Sequence, residues 1–328
     1  MSVGYGLATA VRNVAFNRGL KRRVSLPRPV VSVGNITTGG TGKTPTVAWL
    51  ADRLLDRGHR PAVLMRGYKG GPGGGDEQRL LRQRLGDAVP VEADPDRAAA
   101  AGRVMAARPE VSVFLLDDGF QHRRVRRCFD LVLIDATDPF GGGAVLPRGL
   151  LRERPAGLAR ASAILLTRCE LRPDTTAVEQ QIRRQTAAPL FRSTFELAIA
   201  TPGGDAADAR GRKLFLASGI GNPAALAEQV AHLGGIVTDR RAFPDHHAYS
   251  TADANDIAGA AQRAGATPLV TGKDWVKLRD FWPDGATVLI AEPTLVPERA
   301  DDLLSRIECA IGSSRTGYCR SSESEGRQ

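Results

Sequence analysis

The stretch "VSVGNITTGGTGKTPTVAWL", residues 31–50, decides the expected fold because three kinds of segment follow one another in it. An apolar β-branched run, a glycine-rich turn and an amphipathic segment are typical of a strand, a phosphate-binding loop and a helix. The apolar residues after the turn keep the spacing of one buried helix face: Val47, Leu50, Leu54 and Leu55. The sequence therefore predicts a nucleotide site with the phosphates at a helix N-terminus.

The loop has the residue types that phosphate binding requires. Glycines let backbone N–H groups approach the phosphates, a lysine reaches the β- and γ-phosphates, and a hydroxyl binds Mg²⁺. The residues of the predicted nucleotide site are Gly39, Gly40, Thr41, Gly42, Lys43 and Thr44. The strict pattern G-x-x-x-x-G-K-[ST] would begin with glycine at position 37, where this chain has Thr37. The match is a variant, and the alternative is a glycine-rich turn with a chance Lys-Thr pair.

A second predicted part of the site is the segment "VSVFLLDDGFQH", residues 111–122, where two carboxylates follow an apolar run. Asp117 or Asp118 would serve Mg²⁺ directly or through water, whereas a lone Asp-Asp pair is usually an ordinary cap. Gln121 is placed either to position the nucleotide or a Mg²⁺-bound water, or simply to fix the loop. The segment "LLTRCE", residues 165–170, loosely resembles a guanine-reading loop, but arginine and glutamate replace its lysine and aspartate. We interpret it as a plain strand end.

Composition limits the class of partner. The formal charge of +9, from 45 Lys+Arg against 36 Asp+Glu, favours anionic partners. No apolar run approaches the ~18 residues of a membrane span, and the N-terminus lacks a signal peptide. Four widely spaced cysteines form no CxxC pair, which indicates a reduced, cytosolic chain.

The N-terminal segment combines an apolar helical face with a basic cluster. The apolar face is formed by Leu7, Val11 and Val14, and the cluster that follows is Lys21, Arg22 and Arg23. This combination suits either an interfacial helix on anionic lipid or a helix packed on its own domain.

The order of apolar runs predicts an α/β fold in two parts. Strands alternate with helical patterns, which indicates a P-loop NTPase-like, mostly parallel sheet with helices on both faces, followed by a second, smaller α/β domain. We predict the following organisation: a membrane-contact helix at 1–23, a kinase domain at 24–200, a linker at 201–213, the smaller domain at 214–311 and a disordered tail at 312–328. Helices are expected near 222–233, 252–264 and 294–309.

Several blocks together resemble the tetraacyldisaccharide 4'-kinase family, the lipid A kinases of Gram-negative bacteria. They occur in the family's order: "GNITTGGTGKTP" (34–45), "RGYKG" (66–70), "DE" (76–77), "DDGFQH" (117–122), "LPRGLLRE" (146–153), "GIGNP" (219–223), "FPDHH" (243–247) and "TGKDWVK" (271–277). The resemblance covers the chain to about residue 310 and includes Thr37, because the family's loop has the same form. Departures are "DEQ" for DEP, "LPRGLLRE" for LPAGPLRE and "TGKD" for TEKD.

The resemblance implies transfer of the ATP γ-phosphate to the 4'-hydroxyl of tetraacyldisaccharide 1-phosphate, giving lipid IVA, with ATP and Mg²⁺ as cofactors. It also implies a peripheral enzyme on the cytoplasmic face of the inner membrane, two α/β domains with the active site in the cleft between them, and no obligatory protein partner. By resemblance, Asp76 is the base and His246 its partner, with His247 as the fallback. From the residues alone, Asp76 is better interpreted as a turn residue and His246 as a buried structural histidine, and the resemblance reverses both interpretations.

Three further residues are assigned more loosely. Glu153 is a candidate metal-side carboxylate and Arg152 a candidate substrate contact, unless the two form a surface ion pair. Arg66 follows an apolar strand at the end where open parallel sheets bind ligands, so it meets substrate phosphate or caps the sheet edge.

Two other classes of protein compete with the kinase. A P-loop regulatory or chaperone GTPase would prefer guanine, which the degraded "LLTRCE" segment argues against. A nucleic-acid-binding ATPase would fit the sequence pI of about 9.9. It is disfavoured because no nucleic-acid module is recognisable and aromatic residues make up only 5% of the chain.

Overall fold

The computed structural model describes residues 2–67, 75–220, 223–244 and 247–322. Its helices and strands, in chain order, are α1 (Ser2–Asn17), β1 (Val30–Asn35), α2 (Lys43–Asp56), β2 (Pro61–Met65), α3 (Asp76–Leu85), β3 (Val91–Ala93), α4 (Arg97–Ala107), β4 (Val113–Asp117), β5 (Phe129–Asp135), β6 (Ala163–Thr167), α5 (Thr176–Arg183), β7 (Leu190–Ala200), β8 (Lys213–Ser218), α6 (Pro223–His232), β9 (Ile236–Ala242), α7 (Thr251–Arg263), β10 (Thr267–Thr271), α8 (Gly272–Leu278), β11 (Leu289–Pro297) and α9 (Ala300–Ser322). Short 3-10 turns join several of them.

The chain divides into two compact units. The larger unit comprises residues 1–69, 85–195 and 295–328, and the smaller unit comprises residues 70–84 and 196–294. The predicted domains differ from this division because α3 belongs with the smaller unit and α9 with the larger one.

The larger unit is built on a parallel sheet with the strand order β3-β2-β4-β1-β5-β6-β7. Strand β1 lies centrally, with Val31 in register with Leu115 of β4 on one side and Phe129 of β5 on the other. All six residues of β1 are buried. A strand covered on both faces reads as a continuous apolar run, which is why the sequence signal was strong here.

Helices cover this sheet because alternate strand residues point to opposite faces. Leu64, Phe114 and Leu116 pack with Ala100 and Val104 of α4. Val63 and Leu115 point the other way and are also fully buried. Helix α2 contacts β1, β2 and β4, and buries Val47, Leu50 and Leu54 as the predicted periodicity requires.

The strands of the smaller unit are also parallel and follow the order β11-β10-β8-β9. On one face, Phe215 and Val270 pack with Ile257 of α7. On the other face, Leu214 and Leu269 pack with Val230 of α6. Both units therefore have the predicted α/β architecture, and the fold class is confirmed.

The ends of the chain correct two predictions. Residues 294–297, predicted to begin the last helix, belong to β11, and α9 starts at Ala300. Helix α9 continues to Ser322, so residues 312–322 are helical where a disordered tail was expected. Residues 323–328 lie outside the described residues. Helix α1 spans Ser2–Asn17 within the predicted segment 1–23.

His122, a half-buried histidine of the larger unit, gives a pH prediction. Burial, reinforced by the guanidinium groups of Arg97, Arg127 and Arg124, lowers the pKa of His122 from 6.5 to about 4. Below pH 6.5 the unfolded chain takes up a proton that the folded chain does not bind until about pH 4, so stability falls as the pH drops through this window. Between pH 7 and pH 5 the free energy of unfolding should fall by on the order of 1 kcal/mol less in His122→Gln than in the unchanged chain. Urea unfolding of both proteins at both pH values measures this. An equal fall in the two proteins would contradict the prediction.

Candidate functional site

The phosphate loop lies between β1 and α2, and its last glycine caps the N-terminus of α2. Gly42 is the N-cap residue of α2, with φ 87° and ψ 24°. Both the backbone N–H and the hydroxyl of Thr46 donate to the Gly42 carbonyl, at 3.1 and 2.8 Å. A Cβ at Gly42 would lie 2.2 Å from Cζ of Phe195, so only glycine fits. Lys43 and Thr44 therefore occupy the first turn of α2, as the sequence predicted.

The end of β6 holds the same loop from outside. The Thr167 hydroxyl donates to the Thr41 carbonyl at 3.1 Å, and Arg168 donates to the Gly40 carbonyl at 2.5 Å. Arg168 also forms an ion pair with Asp135 at the end of β5. Two consecutive loop carbonyls are thus fixed by Thr167, the last residue of β6, and by Arg168 directly after it, so the sheet supports the loop conformation.

The base of the loop is held by β1 itself. The buried side chain of Asn35 donates to the Thr41 hydroxyl at 2.9 Å. The Gln121 amide donates to the Asn35 carbonyl at 2.7 Å. Gln121 therefore fixes the strand that leads into the loop.

Asp118 joins the phosphate loop to the "LLRE" segment. Its two carboxylate oxygens each lie 2.7 Å from one Arg152 guanidinium nitrogen, and Lys43 Nζ lies 3.7 Å from Oδ1. The backbone of Asp118 is left-handed, with φ 52°, and Arg168 has φ 59°. In the described part of the chain these are the non-glycine residues with positive φ. Such conformations are uncommon outside glycine and gather at functional sites, which supports a site here.

Glu153, predicted as a metal-side carboxylate, accepts hydrogen bonds on both of its oxygens. Its Oε1 accepts from Gln121 at 3.0 Å and from Arg160 at 2.9 Å, while Oε2 accepts from Asn13 at 3.1 Å and from Arg160 at 2.8 Å. The residue is only 3% exposed. Because both oxygens are occupied by donors, Glu153 acts as a buried junction between α1, the "DDGFQH" segment and the "LLRE" segment.

The remaining predicted Mg²⁺ ligands have suitable chemistry. Thr44 offers a hydroxyl in the first turn of α2, and Asp117 ends β4 next to β1, in register with Val33. Asp117 is 4% exposed. A hydroxyl and carboxylates are the hard oxygen donors that Mg²⁺ prefers, so Thr44 with Asp117 or Asp118 fits the ion. Within the described residues, His, Cys, Asp and Glu form no cluster of three or more with metal-binding geometry.

The predicted base lies in the smaller unit. Asp76 begins α3, and its Oδ2 is 3.0 Å from Nζ of Lys277. Lys277 is the last residue of the "TGKDWVK" block, and Nζ also lies 3.4 Å from the His247 carbonyl oxygen. The predicted partner His246 lies outside the described residues. The fallback His247 has Nε2 3.4 Å from Asp253 of α7, which makes it part of that helix's cap.

Lys277 was missed as a partner of Asp76, although its block was part of the family resemblance. The spacing along the chain gives no hint that the two residues meet. Arg66, exposed immediately after β2, lies at the carboxyl end of its strand as expected.

The "LLTRCE" segment supports the phosphate loop. Arg168 reaches Gly40 and Asp135, and Glu170 accepts from the backbone N–H of Phe195 at 3.2 Å. Phe195 is the residue that packs on Gly42. These contacts agree with the interpretation of the segment as a strand end. They also show that its polar residues support the phosphate loop, which was not predicted from the sequence.

The contact between Arg168 and the Gly40 carbonyl leads to a prediction for nucleotide affinity. Arg168→Ala should raise the KM for ATP about 10-fold with a smaller effect on kcat, because a hydrogen bond from a charged donor to the loop is lost. Arg168→Lys should recover part of the affinity. Steady-state kinetics measure both values, and Arg184→Ala, an exposed arginine at the end of α5, is the matched control. An unchanged KM for ATP in Arg168→Ala would show that the contact is incidental.

A parallel sheet that delivers a glycine-rich loop to the N-terminus of a helix defines the class of P-loop nucleotide-binding enzymes. Within this class, the family model described as "Tetraacyldisaccharide-1-P 4'-kinase" matches residues 1–308. The chain belongs to the tetraacyldisaccharide-1-P 4'-kinase family, and it is a kinase.

Individual relatives agree with this assignment. The chain is similar to a tetraacyldisaccharide 4'-kinase of Geobacter metallireducens, 38% identical over 299 residues, which covers 85% of this chain and 87% of the relative. It is 36% identical over 311 residues to the Syntrophus aciditrophicus enzyme of the same name, which covers 84% and 82%. The solved structure of LpxK from Aquifex aeolicus, in complex with ATP, matches with a TM-score of 0.79 at 29% identity and covers 94% of this chain and 97% of that one.

Proposed function

We propose that this chain transfers the γ-phosphate of ATP to the 4'-hydroxyl of a tetraacylated glucosamine disaccharide 1-phosphate. The observation that carries the proposal is the arrangement of Lys43, Asp118 and Arg152 beside a glycine loop of the family's form. A phosphate donor needs a cationic loop for its terminal phosphates, and this loop provides one at a helix N-terminus.

The larger unit supplies the nucleotide end of the proposed reaction. The N–H groups of the first turn of α2 and the Lys43 ammonium would hold the β- and γ-phosphates. Thr44 with Asp117 or Asp118 would hold Mg²⁺, which when bound neutralises charge on the phosphate oxygens. Arg152, held by Asp118 at 2.7 Å, is available to stabilise charge on the transferred phosphoryl group.

The smaller unit supplies the acceptor end. Asp76 would accept the proton of the attacking hydroxyl, as the carboxylate of a general base. The Lys277 ammonium beside it, 12% exposed as a side chain, fixes the position of that carboxylate. Lys277 therefore takes part of the orienting role that the sequence assigned to a histidine.

Attachment to the cytoplasmic face of the inner membrane is part of the proposal. Val11 and Val14 of α1 are 61% and 45% exposed, so the predicted apolar face is not buried on the larger unit at these positions. The opposite side of α1 packs inward through Phe16 and Asn13. In the described ranges, no helix has the length and apolar character of a membrane span.

The test compares phosphate transfer from labelled ATP with and without tetraacyldisaccharide 1-phosphate in neutral detergent micelles. The proposal expects label in the lipid, with ATP preferred to GTP and little hydrolysis when the acceptor is omitted. Guanine preference together with acceptor-independent hydrolysis would instead support the regulatory GTPase. The contacts of the "LLTRCE" segment do not favour that alternative.

A further inference from the structure

Two basic segments that are far apart in the sequence lie side by side in the larger unit. "LKRRV", residues 20–24, follows α1, and "RRVRR", residues 123–127, precedes β5. Val24 and Val125 form a parallel bridge. The Val24 N–H donates to the Arg124 carbonyl at 2.7 Å, and the Arg126 N–H donates to the Val24 carbonyl at 2.9 Å. The backbone therefore fixes the two segments against each other.

This pairing turns the charged residues outward. Val125 is 3% exposed, and its neighbours in the sequence, Arg124 and Arg126, are exposed because alternate side chains of an extended segment point in opposite directions. The segments line a groove of about 1180 Å³, which we call the basic groove. Its cationic residues are Lys21, Arg22, Arg23, Arg124, Arg126 and Arg127.

The basic groove carries more positive charge than its surroundings neutralise. Arg127 lies 3.3 Å from Asp130, and Arg124 lies 3.8 Å from Asp96. Across the residues that the structure describes, four of the six cations have no carboxylate within ion-pair distance: Lys21, Arg22, Arg23 and Arg126. A groove with four uncompensated cations attracts an anion of high charge density.

Exposed apolar side chains precede the cations of the first segment along the chain. Leu20, between groove residues Gly19 and Lys21, is 75% exposed, and Val11 and Val14 of α1 are also exposed. A water-soluble anion would satisfy the cations and leave these side chains in water. A lipid headgroup satisfies both, because its phosphate meets the cations and its acyl region meets the apolar residues.

The groove is separate from the phosphate loop. Its two segments precede the amino ends of β1 and β5, whereas the phosphate loop follows the carboxyl end of β1. The six residues of β1 span roughly 20 Å. The cations of the groove therefore serve a different anion from the nucleotide phosphates.

We propose that the basic groove binds the headgroup of an anionic phospholipid of the membrane and so docks α1 on the bilayer. The inference rests on the proposed function in one respect, since a lipid acceptor requires the enzyme to work at a membrane. It goes further by assigning half of the docking site to Arg124 and Arg126, which are remote from the N-terminal helix in sequence.

The test measures binding of the full chain to phosphatidylglycerol–phosphatidylcholine vesicles and to pure phosphatidylcholine vesicles by flotation. Binding should require phosphatidylglycerol and weaken at high salt. The double variant Arg124→Gln/Arg126→Gln should lower the apparent affinity about 30-fold, since each basic residue near an anionic surface contributes roughly a five- to sixfold factor. The matched control, Arg183→Gln/Arg184→Gln, removes two exposed charges from α5 and should bind like the unchanged chain.

Kinase activity in neutral micelles separates the possible causes of a change. The double variant should keep its kcat and its KM for the acceptor there. A raised KM for the acceptor with unchanged vesicle binding would assign the groove to the acceptor's own phosphate and overturn the proposal. Equal binding of the unchanged chain to both vesicle types would also overturn it. Absence of phosphate transfer by the unchanged chain would instead refute the proposed function, whatever the vesicle result.

If the double variant fails to fold, as judged by circular dichroism, Lys21→Gln/Arg22→Gln tests the other side of the groove. Both residues are exposed and follow α1, so their replacement leaves the buried bridge intact. The same loss of phosphatidylglycerol-dependent binding is expected. Retention of full binding would contradict the proposal.

Discussion

Replacing Lys43 by alanine should lower kcat for phosphate transfer by about 10²–10³-fold, the usual effect of removing one preorganised group that stabilises transition-state charge. Lys43 lies in the first turn of α2, and Nζ is 3.7 Å from Asp118, so the ammonium is held beside the loop rather than extended into water. Its side chain is only 15% exposed. The ammonium can therefore follow the γ-phosphate as its charge redistributes during transfer.

The fold should survive this substitution. Alanine favours a helix, and the contacts that fix the loop come from Asn35, Thr167 and Arg168 rather than from Lys43. Lys213→Ala removes an exposed lysine at the start of β8 and is the matched control, with normal activity expected. Steady-state kinetics and thermal unfolding measure the two effects. A near-normal kcat in Lys43→Ala would contradict the role of the phosphate loop in phosphate transfer.

Replacing Asp76 by asparagine should lower kcat on the order of 10²–10⁴-fold, the range for loss of a general base. The KM for ATP should stay within about twofold, because Asp76 is proposed to act on the acceptor hydroxyl and not to bind the nucleotide. Asparagine keeps the shape of the side chain and an oxygen at the first turn of α3, so the helix should form normally. The loss then reports on proton transfer rather than on folding.

The control for this prediction is Asp87→Asn, an exposed acidic residue shortly after α3, which should behave like the unchanged enzyme. Lys277→Ala tests separately whether the lysine positions the Asp76 carboxylate. It should reduce kcat less than Asp76→Asn does, because it frees the carboxylate without removing it. Equal kcat for Asp76→Asn and the unchanged enzyme would show that Asp76 is the turn residue of the alternative interpretation.

The sequence predicted best where the signals are local. The β1–loop–α2 unit combines a buried run, glycines and a 3.6-residue period within 20 consecutive positions, so its elements and phosphate residues could be read directly. Helix α3 was not predicted, because its sequence "DEQRLLRQRL" is polar around most of its surface. Strand β3 has only three residues, which is too short for a periodic signal.

Contacts between distant segments could not be predicted from one chain. Arg168 lies 128 positions from Gly40, and the sheet brings them together only because β6 follows β5 beside β1. Glu153 shows that a motif can suggest a role for a residue without showing its partners. Its place in the "LLRE" block suggested a metal-side carboxylate, and the fold adds Arg160, Asn13 and Gln121 as hydrogen-bond donors to its oxygens. Residue type and motif gave the possible chemistry, and only the folded geometry showed which partners a side chain has.

The position of the new phosphate on the acceptor distinguishes a 4'-kinase from other phosphotransferases. After reaction of labelled ATP with tetraacyldisaccharide 1-phosphate, phosphorus–proton correlation spectroscopy of the purified lipid identifies the carbon whose oxygen carries the label. We expect one new phosphate monoester per acceptor, on the 4'-oxygen, and none with Lys43→Ala under the same conditions. Label recovered only as inorganic phosphate, or attached at another position of the disaccharide, would contradict this expectation.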